Sequence, residues 1–282
     1  MVCVGTKRHL PCGQGTNAWI SLPAMASNDR EIGVTRAPWC QLLEWFGSPL
    51  GERFLARESE VLRRIVPDLF GYHLVQVGRA PSLDLASVCR TRHCHVIDLA
   101  SPPAAGSLCT AEPEYLPIRT DSVDALVMMH VLEFCQEPHE ALREVDRVLV
   151  PEGHVVVCGF NAMSAWGLRM MLHPKRVPWA GRKLSVGRLR DWLALLGFDT
   201  VRIDFFFHAP PLSHPGILRH LQRLDQPNAR TLPILTGGYV VVARKRVSTL
   251  IPLRPRWLPK RRLAPAGLPE PTPRRPHGNE LG

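Results

Sequence analysis

The chain has 282 residues and carries 35 Lys/Arg against 25 Asp/Glu, a formal net charge of +10, with 45% hydrophobic residues. That size suits one domain of about 200 residues with an ordinary buried interior, flanked by extensions. No run of about twenty apolar residues occurs, so no membrane-crossing helix is expected, and with no export signal a cytoplasmic chain with reduced cysteines is expected.

The charge is uneven. From Arg244 to Gly282 there are ten Lys/Arg and two acids, so most of the net charge lies in a proline-rich end and the remainder is near neutral. Residues 1–38 are read as a disordered extension: the first two dozen hold Cys3, Cys12 and three glycines without periodicity. Met25 precedes more protein-like sequence and is an alternative start. A folded domain over 39–246 and a basic disordered tail over 247–282 complete the division.

The predicted elements follow in chain order. Phe46 to Val66 reads as one amphipathic helix, with Leu50, Phe54, Leu55, Leu62 and Ile65 on the apolar face and Arg53, Arg57, Glu58, Glu60, Arg63 and Arg64 around it. Tyr72 to Val77 is the first strand and runs into a turn at Gly78. Cys89, His93, Cys94 and His95 form the densest cysteine–histidine cluster, but their spacing is poor for zinc and no second knuckle follows, so no metal is expected. Val96-Ile97-Asp98 ends a second strand, and Cys109-Thr110-Ala111 is a weak third.

Asp121-Ser122-Val123-Asp124 supplies turn chemistry ahead of Ala125–Met129, a continuous apolar run suited to a parallel strand buried on both faces. Pro138 opens a helix whose Ala141, Leu142, Val145, Val148 and Leu149 recur at helical spacing, and Pro151-Glu152-Gly153 stops it. His154 to Phe160 is the next buried strand. Strand, helix and strand with short loops predict a right-handed parallel crossover.

Ala165 to Lys183, with Trp166, Met170 and Met171 among basic residues, reads either as an amphipathic lid or as a helix packed on the sheet. Leu189 to Leu196 is a helix closed by Gly197. Phe198–His208 and Gly238–Ala243 are the last two strands, with a helical cover around Ile217–Leu221 between them.

Tyr115-Leu116-Pro117-Ile118, Asp121-Ser122-Val123-Asp124, His130-Val131-Leu132-Glu133 and the run from Leu142 to Gly153 resemble the corresponding stretch of class I, type-11 S-adenosylmethionine-dependent methyltransferases. With Leu69-Phe70-Gly71-Tyr72-His73-Leu74 and Gly159-Phe160-Asn161, the chain is similar to their YafS-like bacterial branch over roughly Trp39 to Arg246. The resemblance implies an α/β fold: a Rossmann-like, doubly wound, mostly parallel seven-stranded sheet with a terminal antiparallel strand. It also implies S-adenosylmethionine as cofactor, no metal, and an unidentified methyl acceptor.

The same resemblance implies a cofactor site at Gln76, Gly78, Asp98, Glu112 and His130. Glycine at 78 lets backbone approach the cofactor, although the turn keeps this one glycine without the wider family's GxGxG pattern and Gln76 stands where an acid is usual. Asp98 would accept from the ribose hydroxyls, or it caps a loop. Glu112 would receive the adenine amino group, or it is a surface glutamate. His130 would line the cofactor and act as the catalytic base, or it is a hydrogen-bonded structural residue. Asn161 follows the fifth strand without the prolines of an adenine-amino methyltransferase motif and is read as a polar strand-end residue.

Two other functions stay open on sequence. The single glycine and Gln76 suit a catalytically silent methyltransferase-like scaffold. The basic tail suits weak contact with nucleic acid or an anionic surface, as in an RNA-associated factor. Oligomeric state is not legible.

Overall fold

The computed structural model describes residues 33–79, 84–99, 107–172, 181–208 and 236–246, all within one unit that ends at Val247. In chain order the elements are α1 (Gly33–Phe46), α2 (Pro49–Ile65), β1 (His73–Val77), β2 (His93–Asp98), β3 (Cys109–Thr110), β4 (Val123–Met129), α3 (Pro138–Val148), β5 (Leu149–Phe160), α4 (Ala165–Leu172), α5 (Val186–Leu195), β6 (Phe198–Phe206) and β7 (Gly238–Lys245). The residues around Ile217–Leu221, Trp179 and the basic tail lie outside the described residues.

The strands form one sheet in the order β3-β2-β1-β4-β5-β7-β6. β3, β2, β1, β4 and β5 run parallel, and β7 is antiparallel to both β5 and β6. The antiparallel strand is thus last in the chain but inserted between two others, and β6 forms the edge. The apolar runs are buried as their composition requires: in β4 every residue but Asp124 is fully enclosed, and Val155 to Phe160 of β5 and Gly238 to Ala243 of β7 are enclosed throughout.

Local chemistry fixes the entry to the sheet. Asp124, at the start of β4, accepts from the backbone N–H groups of Tyr72 and His73 at 2.9 Å each, which joins β1 to β4 where both begin. Gly71 beside it has φ 147°, and a Cβ there would fall 2.2 Å from the Asp124 Cβ. On α3 the stripe Ala141, Leu142, Val145 and Val148 is buried. Lys245 at the end of β7 donates to the carbonyls of Asp146 (2.6 Å) and Leu149 (2.9 Å), a cation at a helix C-terminus.

Three sequence expectations are corrected. The helix expected over Phe46–Val66 is α2 alone, and a separate α1 precedes it from Gly33, six residues ahead of the expected domain start. Gly47 and Ser48 divide the two, and the Ser48 hydroxyl caps α2 by accepting from Gly51 N at 3.1 Å. β5 begins at Leu149 rather than His154: α3 ends at Val148, and Pro151-Glu152-Gly153 lies within the strand's span. The left-handed residue there is Glu152, φ 64°, while Gly153 is needed because a Cβ would meet the Val150 carbonyl at 2.8 Å.

Candidate cofactor site and a buried histidine

β1 lies between β2 and β4, with Val77 in register with Ile97 on one side and Met128 on the other. The next residue, Gly78, therefore emerges beside Asp98 and the end of β4, at the carboxyl edge where strand order reverses. Its N–H donates to the Ile97 carbonyl at 3.0 Å, and its φ of 80° is left-handed. A Cβ there would lie 2.8 Å from the Met129 carbonyl, 3.0 Å from the Trp39 ring and 3.0 Å from Val131. Only glycine satisfies both constraints.

Gln76 is fully buried, and its side-chain amide donates to the Gly78 carbonyl at 2.9 Å. An amide can donate to that carbonyl where a carboxylate cannot, so Gln76 braces the turn from inside. Asp98 is also buried at the end of β2, in register with Thr110, and accepts from Leu99 N at 2.8 Å. Glu112, two residues beyond β3, is exposed in a turn bridged to Tyr115. Gly78, Asp98 and Glu112 thus follow three adjacent strands along one sheet edge. A left-handed glycine turn and a buried acid therefore stand side by side at this edge, residue types able to let backbone approach a ligand and to accept from its hydroxyl groups.

His130 directly follows β4. Its backbone is left-handed, φ 54°, and its N–H donates to the Cys158 carbonyl at 3.1 Å. The imidazole has no exposure and lies against Phe160, Phe46 and Phe54, with ring centroids at 4.4, 5.5 and 5.7 Å. Its Nε2 stands 3.0 Å from Oε1 of Glu58 on α2, a charge contact without the alignment of a good hydrogen bond, and its Nδ1 is buried without a partner. Burial pulls the imidazole's proton affinity down, but the carboxylates of Glu58 and, behind it, Glu133 outweigh this and hold its pKa above the ordinary value.

Glu133 accepts from Phe160 N at 2.7 Å through Oε1, while Oε2 is buried without a hydrogen bond. Burial raises its pKa despite the opposing pull of His130 and the Phe160 N–H. Tyr239 on β7 presents its hydroxyl beside the same carboxylate: a Cβ on Gly159 would fall 2.5 Å from Glu133 Oε1 and 2.6 Å from that hydroxyl. Asn161 is committed to the frame, with its side-chain amide donating to Thr236 at 2.9 Å and its N–H to the Gly237 carbonyl at 2.9 Å.

The cysteine–histidine cluster is dispersed. His93 and His95 stack in a row with His73 of the neighbouring strand, at 5.2 Å (His73–His93) and 6.2 Å (His93–His95) between centroids, while burial and the adjacent Cys89 push the Cys94 thiol up to about 12. Among the described residues no three His, Cys, Asp or Glu side chains are placed to hold a metal ion, and no helix is long and apolar enough to cross a membrane. The basic run Arg244-Lys245-Arg246 is paired with Glu152, with Asp121 and Asp146, and with Asp199 respectively.

Two residues that matter here escaped the sequence reading. Glu58 belongs by residue type with the charged residues around its helix, yet it is fully buried. The signal was its spacing, four residues from both Phe54 and Leu62, which sets it in the middle of the apolar stripe. Trp39 is fully buried at the Gly78 turn, and no local pattern marked it.

The sequence matches the family model of a methyltransferase domain over residues 83–157. The fold is shared with a methyltransferase of Thermotoga maritima described as a possible histamine N-methyltransferase (TM-score 0.51, 19% identity, 67% of this chain and 89% of that one). It is shared also with one of Archaeoglobus fulgidus (TM-score 0.50, 18% identity, 67% and 93%). These likenesses define the class: a Rossmann-like fold of the S-adenosylmethionine-dependent methyltransferases. Over 216 residues the chain is 30% identical to the uncharacterized protein YafS of Escherichia coli (strain K12), covering 76% of this chain and 83% of that one. The chain belongs to the YafS-like branch of the class I, type-11 methyltransferases.

Proposed function

We propose that the protein binds S-adenosylmethionine at the carboxyl edge of β1, β2 and β3 and transfers its methyl group to an acceptor whose identity the site does not specify. The observation that carries this reading is the left-handed, Cβ-free Gly78 turn set beside the buried carboxyl group of Asp98. In it Gly78 admits the cofactor at backbone distance, Asp98 accepts from the ribose hydroxyls, Glu112 receives the adenine amino group, and Gln76 holds the turn in shape.

The bound cofactor supplies a methyl group on a positively charged sulfur. The protein's part is to align the acceptor with that methyl and exclude water. His130, in its neutral form, takes the acceptor's proton at Nδ1, with Glu58 as countercharge at Nε2. Because the imidazole is fully covered, this step requires the aromatic enclosure on its Nδ1 side to open while the Glu58 contact at Nε2 is kept. The six described cysteines are free, which suits a reducing, cytoplasmic setting.

Calorimetric titration with S-adenosylmethionine and S-adenosylhomocysteine tests the reading. Wild type binds both, and Asp98→Ala loses on the order of ten-fold or more in affinity, as removal of a charged hydrogen-bond partner requires. No binding by folded wild-type protein would defeat it and favour the silent scaffold.

A further inference from the structure

α4 is anchored on one side and apolar on the other. Trp166, its second residue, has no exposure and lies against Phe54, Phe160 and Phe207, with ring centroids at 5.5, 6.4 and 5.4 Å. Met171 and Leu172 follow Leu168 by three and four residues, which sets all three on one helix face, and they are 63%, 68% and 59% exposed respectively. Met163, just ahead of the helix, is exposed as well. On α3, by contrast, the solvent side carries the ion pairs Arg143–Glu140 and Arg147–Glu144.

The charge around this face has one sign. Between Glu152 and Asp191 the sequence holds seven Lys/Arg and no Asp/Glu. Two of these cations, Arg182 and Lys183, are exposed beyond the end of β4: the Arg182 N–H donates to the Glu133 carbonyl at 2.7 Å and its guanidinium to the Gln136 carbonyl at 2.8 Å. α4 begins five residues after the end of β5, the parallel neighbour of β4. The start of α4 and these cations therefore stand at the carboxyl edge of the sheet, the edge that also carries Gly78 and Asp98.

We propose that the outer face of α4 docks on an anionic membrane surface: Leu168, Met171 and Leu172 enter the headgroup region of the bilayer, and the neighbouring Lys/Arg meet lipid phosphates. A helix of 8 residues, about 12 Å long, suits lying in that interface and is far too short to cross it. A second copy of the chain seated face to face would bring the same cations together, whereas an anionic surface neutralises them. Single-stranded nucleic acid stacks its bases on exposed rings, and the aromatic side chain of α4 is buried. Docking in this way turns the carboxyl edge of the sheet toward the lipid. It needs no bound cofactor, so it stands or fails apart from the methyl-transfer reading.

The test is flotation of the full-length chain with vesicles of phosphatidylcholine alone and of an equal mixture of phosphatidylcholine and phosphatidylglycerol. Wild type is compared with the triple variant Leu168→Ser, Met171→Ser, Leu172→Ser, which keeps every cation, the basic tail included. Wild type should prefer the mixed vesicles, and the variant should bind them about ten-fold more weakly or less, because the apolar area that enters the interface is gone. Equal binding by the two proteins, or no preference for the anionic vesicles, overturns the proposal. Wild type that ignores vesicles but binds single-stranded RNA, or forms a dimer that the variant splits, overturns it in favour of that occupant. Should the variant not fold by circular dichroism, hydrogen exchange on wild type decides: amides of α4 gain protection with the mixed vesicles if the face docks, and unchanged exchange there overturns the proposal.

Discussion

Glu58 Oε1 and His130 Nε2 stand 3.0 Å apart with both side chains removed from solvent, so a helix ahead of the sheet is tied by charge to the end of its fourth strand. Inside an aromatic enclosure neither group can be satisfied by water if the other is lost. Breaking a buried pair by removing one partner costs about 3–5 kcal/mol. Glu58→Ala is therefore expected to lower unfolding stability by that order in urea, while Glu58→Gln, which keeps the volume, loses less. A loss below about 1 kcal/mol for Glu58→Ala would show that the pair holds nothing.

The same pair sets a pH dependence of known sign. The folded protein binds the His130 proton more tightly than the unfolded chain does, so the stabilisation is complete below the ordinary histidine value of 6.5 and fades as pH rises through the higher folded value. Glu133 acts in the same direction: its raised pKa makes folding cost more as pH climbs above the ordinary glutamate value of 4.5. Unfolding measured from pH 5 upward should show declining stability, and His130→Gln should flatten the part above about 6.5.

Asp124 offers a test of the frame independent of any ligand. It receives the N–H groups of Tyr72 and His73 across fifty-two and fifty-one residues of chain respectively. Asp124→Ala removes the acceptor of both donors; the His73 bond is half-buried and the Tyr72 bond is exposed, so the chain should lose about 1–3 kcal/mol of stability. Asp124→Asn, which retains an acceptor oxygen, should recover part of it.

Thiol reactivity should be sharply graded. Of the six described cysteines Cys40 alone is exposed, whereas burial drives the Cys158 and Cys135 thiols upward, with nearby carboxylates adding to the effect. A brief maleimide pulse on native protein, mapped by mass spectrometry, should label Cys40 and spare Cys135 and Cys158 until denaturant is added.

What was legible in the sequence was whatever depends on local periodicity. The apolar run Ala125–Met129 and the stripe on α3 each state their structure within a few residues, and the resemblance to methyltransferases lies in and around that stretch, whereas the turn at Gly78 departs from the family pattern. Pro151-Glu152-Gly153 misled because proline and glycine are helix-stop signals, yet α3 already ends at Val148 and the three residues lie within the span of β5. Trp39 was silent because its role depends on contact with a turn thirty-nine residues away. Glu58 had a helical signal, but a charged residue on an amphipathic helix is ordinarily assigned to solvent, and the partner that makes its burial tolerable follows a strand end seventy-two residues later.

The position of β7 carries a consequence for synthesis. Because the last strand inserts between β5 and β6, everything up to Phe206 can emerge from the ribosome while β6 still has no neighbour and β5 presents an open ladder. The nascent sheet is sealed only when residues 238–245 arrive, pairing with both at once. A transcript truncated ahead of Gly238 would yield a product with two sticky edges rather than a smaller working domain, and such a fragment should be recovered with chaperones or in aggregates.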